Sequence, residues 1–227
     1  CYIHNVGGNG IFFDKYNRHS AITGSFLTSI GASAICFVGD PAGVRSPSFR
    51  YEEFVTLDKM DRAKGPLNEN HPAYCEVYNN LICNIGLFEK QITGVELSMC
   101  RNITISHNSI YDTPRAGINI SEGTWGGHII EHNDIFNTVK ETGDHGSINS
   151  WGRDRFWHPD YNVMAQIVCE HPALILADIV NPIIIRHNRL RCDRGWDIDL
   201  DDGSSNYQIY DCLLYTSPSP RDPKTSR

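Results

Sequence analysis

The sequence predicts an all-β chain built as a solenoid of stacked coils, and three observations carry that reading. A short motif, apolar-x-[His/Asn]-Asn-x-[Ile/Leu], recurs at Val77 to Ile82, Ile105 to Ile110, Ile130 to Ile135 and Ile185 to Leu190, with a weaker copy at Ile22 to Phe26. Its steps of 56, 28, 25 and 55 residues are one or two turns of a period of about 25, the signature of a repeat architecture. Inward Ile, Val and Leu alternate with outward Asn, Asp and Glu, as a strand with one face on a core requires, and no helical period competes.

In chain order, residues 1–38 make about one and a half coils, with Gly7, Gly8 and Gly10 forming a turn where positive φ is cheap. Each interval then holds a further strand: Gly10 to Phe13, Ala34 to Phe37, Gly94 to Leu97, Gly117 to Ile120, Ser147 to Ser150 and Asp197 to Leu200. Two stretches break the period, about 39–74 and about 153–177. The first is expected to carry one short helix near Leu57 to Arg62, and the second is aromatic, with Phe156, Trp157 and Tyr161. Because stacked coils repeat their geometry, both insertions leave from one corner. They are expected to wall a cleft about two coils wide, and long loops on a rigid scaffold are where function usually sits.

This layout resembles the right-handed parallel β-helix of the pectin-lyase-like superfamily over Cys1 to about Asp211, which implies about six coils in one domain. That superfamily includes glycoside hydrolases, polysaccharide lyases, esterases and non-catalytic adhesins, so the resemblance implies a fold more than an activity. The first residue is a Cys inside a repeat, with no Met and no cap before it, so the chain reads as a fragment of a longer protein. Residues 212–227, from Cys212-Leu213-Leu214-Tyr215 onward, lack repeat character and resemble a translated sequencing adapter. They are expected to be a disordered, non-native tail.

The composition is that of an ordinary domain, 227 residues with 40% hydrophobic and 21% charged side chains. Net charge is −7; without the tail it is −9, from 17 basic and 26 acidic residues. An acidic body argues against nucleic acid, and no apolar run approaches the roughly 20 residues of a membrane helix. The eight cysteines show no zinc spacing and read as packing residues, with a disulfide open to them if the protein is exported. A secreted, periplasmic or cell-surface location is the expectation for a polysaccharide-directed β-helix.

Three segments converge on the insertion corner: Ile118 to Glu122, Gly143 to Asp154 and Trp196 to Gly203. Aligning Ile118, Ile148 and Ile198 stacks Asn119, Asn149 and Asp199 in one column, with Glu96 a coil earlier. Glu122 and Asp202 share a second column, and Asp144 and His145 approach from the strand's start. Carboxylates stacked at ~4.8 Å cannot all ionise freely, so one is held protonated beside another that is not. An acid beside a base is what glycoside hydrolysis needs. Asp144 and Asp199, on adjacent coils and ~5 Å apart, would suit retention, whereas Glu122 and Asp202, two coils apart at ~9.5 Å, would suit inversion. Trp125, Trp151 and Trp157 offer faces for sugar stacking, and Asn149, Arg153 and Arg155 offer donors.

The same residues admit plainer readings. Outward Asn and Asp columns often only solvate a sheet, and Asp201 and Asp202 in Asp-Asp-Gly-Ser-Ser-Asn form a hydrophilic turn or a weak Ca²⁺ site, no other cofactor being expected. His107, His132 and His187 recur with the motif and read as scaffold. The stretches at Asp144 to Gly146, Trp151 to Arg155 and Asp197 to Gly203 resemble β-helix glycosidases, which implies a glycoside hydrolase acting on a polysaccharide or oligosaccharide. A uronate lyase and a non-catalytic carbohydrate-binding solenoid are the alternatives.

Overall fold

The computed structural model describes residues 1–122 and 125–216. Three parallel sheets form a β-helix of about six coils, each full coil giving one strand to each sheet. The first sheet stacks Tyr2–Val6, Phe26–Ile30, Leu81–Ile85, Ser109–Tyr111, Asp134–Phe136, Arg189–Cys192 and Leu213–Thr216. The second stacks Ile11–Asp14, Ile35–Val38, Val95–Ser98, Ile118–Ile120, Gly146–Trp151 and Trp196–Asp201. The third stacks Ala21–Thr23, Glu76–Tyr78, Thr104–Ser106, Ile129–Glu131, Ile183–Arg186 and Tyr207–Tyr210. Among the described residues no helix is long and apolar enough to cross a membrane.

The recurring motif is a tight corner between the third sheet and the first. The residue before the anchor Asn is left-handed in every copy: Gly24, Asn79, His107, His132 and His187 have φ between 53° and 58°. Asn, His and Gly tolerate that region better than bulkier side chains, which explains the choice at this position. The three histidines stack ring on ring at 4.9 and 5.0 Å, on the scaffold as expected. The anchors Asn80, Asn108, Asn133 and Asn188 are buried in an amide ladder. Asn108, for example, donates its backbone N–H and its Nδ2 to Asn133 Oδ1 at 3.0 Å, and Nδ2 also donates to the Val77 carbonyl at 2.9 Å. Each amide therefore satisfies the corner of the neighbouring coil, so the ladder answers polar groups that a bend in the core would otherwise orphan.

Inside the coils, Val77, Ile105, Ile130 and Ile185 stack in one fully buried column, and Ile35, Val95, Ile118 and Ile148 in another. Gly94 and Gly117 start their strands where a Cβ would stand 2.6 Å from the Gly117 carbonyl and 2.5 Å from Ile135, so side chains are excluded there.

Four expectations need correction. The first step of the repeat is 55, since Ile22 pairs with Val77 and Ser25 takes the place of the anchor beside Asn80. The solenoid runs past 211: Leu213–Thr216 pairs in register with Arg189–Cys192, Cys212 replaces the anchor Asn, and Leu213 donates to the Asn188 carbonyl at 2.8 Å. An alternating apolar segment suffices to extend the sheet, and the rest of the expected tail, 217–227, lies outside the described residues. No helix forms at Leu57 to Arg62; the helix is Tyr161–Glu170 in the second insertion, capped where Asp160 accepts from the Asn162 N–H.

The fourth concerns the cleft between the insertions. Both insertions leave from the corner between the second and third sheets, yet they fold into a single lobe instead of walling a gap. Met60 from the first insertion and Phe156, Ile167, Leu174 and Ala177 from the second make a small core separate from that of the coils. The backbone joins them too, the Gly65 N–H donating to the Ala177 carbonyl at 2.8 Å.

Candidate active site

The open cleft lies beside this lobe, on the second sheet. It has a volume of about 290 Å³ and is lined by Arg115, Asp144, His145, Asn149, Trp151, Arg153, Asp201 and Asp202. The register expected from the sequence holds: Glu96 pairs with Asn119, Asn119 with Asn149, and Asn149 with Asp199. The column is a hydrogen-bonded chain under partial cover. Asn119 Nδ2 donates to Glu96 at 3.0 Å, Asn149 Nδ2 donates to Asn119 Oδ1 at 3.1 Å, and Asn149 Oδ1 accepts the Gly146 N–H at 3.2 Å. Asn149 is thereby held in one orientation at the cleft.

The carboxylates differ in state. Burial, then the neighbouring Asp201 and Asp144, push Asp199 up to about 6, against a smaller pull from Arg115. Burial likewise raises Glu96 to about 7, its hydrogen bonds to Asn119 and Ser121 working the other way. Asp202 is raised by burial and Asp201, although Arg153 holds it in a salt bridge at 3.0 Å. Asp144 is exposed, with φ of 59°, at the turn leading into Gly146–Trp151. His145 is kept neutral at higher acidity than usual by burial and by Arg115, and its Nδ1 shares a hydrogen bond with Thr142 at 3.1 Å.

The remaining candidates separate into those at the cleft and those inside the lobe. Arg153 lies at the cleft edge but is fully engaged: it stacks on Trp151 at 4.7 Å, pairs with Asp202 and donates to the Phe49 carbonyl. Glu122 does not line the open cleft. It borders a space of about 10 Å³ under the lobe, room for about one water, with Arg153, Asp154 and Asp178. Trp125, Trp157 and Arg155 are buried, so the expectation that they bind sugar is corrected. Trp125 packs on His71 at 4.5 Å, Trp157 donates its indole N–H to the Tyr51 carbonyl, and Arg155 is enclosed by Asp178 and backbone carbonyls. All three are consumed by the closure of the lobe.

At the Asp201–Asp202 turn, Asp202 is held by Arg153 in a salt bridge, and among the described residues no group of three or more His, Cys, Asp or Glu is arranged to hold a metal ion. Among the described residues no disulfide joins the eight cysteines, five of which are buried.

Arg115 was missed in the sequence, although the signal was there. Counting back three residues from the paired Ile118 and Ile148 puts Arg115 and His145 at equivalent places on adjacent coils. The same column logic that aligned the asparagines would have set this cation beside the histidine.

No protein-family model and no curated protein matches the chain. Among solved structures it is similar to two mannuronan C-5 epimerase A-modules from Azotobacter vinelandii. The AlgE4 module superposes with a TM-score of 0.56 at 11% identity over 93% of this chain and 51% of that one, and the AlgE6 module with 0.52 at 11% over 94% and 53%. A glycoside hydrolase gives a TM-score of 0.49 at 12% identity, over 94% of this chain and 35% of that one. The chain thus spans about half the length of the epimerase modules, and the likeness establishes the fold, a parallel β-helix.

Proposed function

We propose that the chain belongs to an enzyme that hydrolyses glycosidic bonds of a polysaccharide or oligosaccharide, using Asp199 as general acid and Asp144 as its carboxylate partner. The observation that carries this reading is the carboxylate cluster at the cleft: Asp144 and Asp201 line it, and Asp199, paired in register with the cleft-lining Asn149, is pushed up to about 6 by burial and by those two neighbours. Below that pH, Asp199 holds a proton to give to the glycosidic oxygen as the bond to the anomeric carbon breaks. Asp144 attacks that carbon directly or activates the water that does, and the anomeric form of the first product tells which. Asp144 suits the role because it is exposed at the cleft, whereas the Asp201 carboxylate already accepts the Asp202 N–H at 2.9 Å. Asp201 serves by keeping Asp199 protonated.

Trp151 and the fixed amide of Asn149 contribute the substrate-facing surface. A substrate of this kind fits a secreted or cell-surface protein.

A second reading, uronate lyase or epimerase, draws support from a different pair. His145, neutral and next to Arg115, could remove a proton alpha to a uronate carboxylate. Both epimerase modules named above share the fold.

The test is a polysaccharide panel read in two ways, reducing-end release and ultraviolet absorbance of an unsaturated uronate. Hydrolysis gives reducing ends without the absorbance, and Asp199→Asn slows their release by a factor on the order of 10² or more. Absorbance that survives Asp199→Asn and disappears in His145→Gln would replace the hydrolase with the lyase. Binding without any turnover would leave a carbohydrate-binding solenoid.

A further inference from the structure

Arg115 is 7% exposed and lines the cleft, yet its Nε is buried with no hydrogen-bond partner among the described residues. The other two arginines of this region are closed off by carboxylates, Arg153 by Asp202 at 3.0 Å and Arg155 by Asp178 at 2.6 Å. Glu96 and Asp199 act on Arg115 through their fields only, and burial holds its pKa below the usual arginine value. A charged donor nitrogen buried without a partner is costly, and folds retain one where something else completes it. Trp151 repeats the pattern: it lines the same cleft, and its indole Nε1 is buried without a partner among the described residues. Two residues that line the cleft thus each carry a buried donor without a partner among the described residues, and one of them is cationic.

We propose that Arg115, with the indole N–H of Trp151, forms a subsite that receives an anionic substituent of the bound glycan, a carboxylate or a sulfate ester. The planar fork of the guanidinium matches two oxygens of such a group, which a lone hydroxyl does not offer. In an acidic protein of net charge −7, a charged glycan needs a dedicated cation to overcome repulsion, and Arg153 is already neutralised by Asp202. This subsite rests on reading the cleft as a glycan site, but not on the hydrolytic role of Asp199. It would serve bond cleavage by hydrolysis or by elimination alike.

The experiment is calorimetric binding of four probes to the wild-type chain, Arg115→Gln and Arg115→Lys: trigalacturonate, its methyl ester, sulfated galactotriose and galactotriose. Wild type should prefer at least one charged probe over its neutral partner, with that preference falling as salt is raised. Arg115→Gln should lose on the order of tenfold to hundredfold in affinity for the charged probe and less than about threefold for the neutral one. Arg115→Lys should recover part of the loss. The probe that binds distinguishes carboxylate from sulfate.

Equal losses on charged and neutral probes would mean that Arg115 only supports its protein neighbours, and would overturn the proposal. So would equal wild-type affinity for trigalacturonate and its ester together with equal affinity for the two galactotrioses, a comparison that decides even if Arg115→Gln fails to fold. Charged-probe binding lost in Arg115→Gln, with no hydrolysis by wild type, would sink the hydrolase and leave the subsite standing.

Discussion

Arg155 and Asp178 form a buried ion pair at 2.6 Å, and the same guanidinium donates to the carbonyls of Asp61 and Ala63 at 2.6 Å each. One side chain in the second insertion therefore holds the backbone of the first, more than 90 residues earlier. Removing it leaves a buried carboxylate and several carbonyls unanswered. Arg155→Met is expected to cost about 3–5 kcal/mol of stability. Urea unfolding measures the loss, and a red shift of tryptophan emission would report that Trp157, now packed in the lobe, has met water.

The amide ladder makes a second prediction. Asn133 Oδ1 accepts from two donors of Asn108, and its Nδ2 donates to the Ile105 carbonyl and to Asn188. Asn133→Ala orphans the Asn108 N–H and the Ile105 carbonyl inside the solenoid, so a loss of about 3 kcal/mol or more is expected. A thermal melt unchanged from wild type would show the ladder to be dispensable.

The acid role of Asp199 predicts both a rate and a pH limb. Because its pKa is about 6, hydrolysis should decline as pH rises through about 6. Asp199→Asn should lower kcat on a polysaccharide by a factor on the order of 10² to 10⁴. The same variant should retain far more activity on an aryl glycoside, whose leaving group departs without a proton. Equal losses on both substrates would remove Asp199 from the acid role.

Glu96 should appear in the stability of the fold, with the opposite sign from a paired surface carboxylate. Its folded pKa of about 7 lies above the ordinary value of 4.5, so the folded chain holds this proton more tightly than the unfolded chain. Its contribution is fully present below 4.5 and is lost as pH rises through about 7, up to about 3 kcal/mol in all. Glu96→Gln keeps an acceptor for Asn119 and removes the titration. Unfolding free energies measured from about pH 4.5 to about pH 8 should slope less in the variant, and an unchanged slope would remove Glu96 as its source.

The coils were legible because a solenoid repeats one geometry. The spacing of Asn80, Asn108, Asn133 and Asn188 follows from the need to satisfy the same corner each time, and the Ile118, Ile148 and Ile198 register then sets Asn149 against Asp199. The same regularity makes the insertions' common corner predictable. Their joining was not legible, because Met60 and Phe156 carry no period that marks them as neighbours.

The sequence by itself determined the solenoid, its register and the gathering of Asp144, His145, Asn149, Asp199 and Asp202 along one sheet, since hydrogen-bonded stacking admits only one alignment of the repeats. Tertiary structure alone decided which side chains remain at the surface to meet a substrate. The lobe closes over Trp125, Trp157 and Arg155 and leaves Arg115 lining the cleft, its Nε without a hydrogen-bond partner among the described residues. The physical reason is that burial in an aperiodic lobe depends on contacts between segments far apart in the chain, which no local pattern encodes.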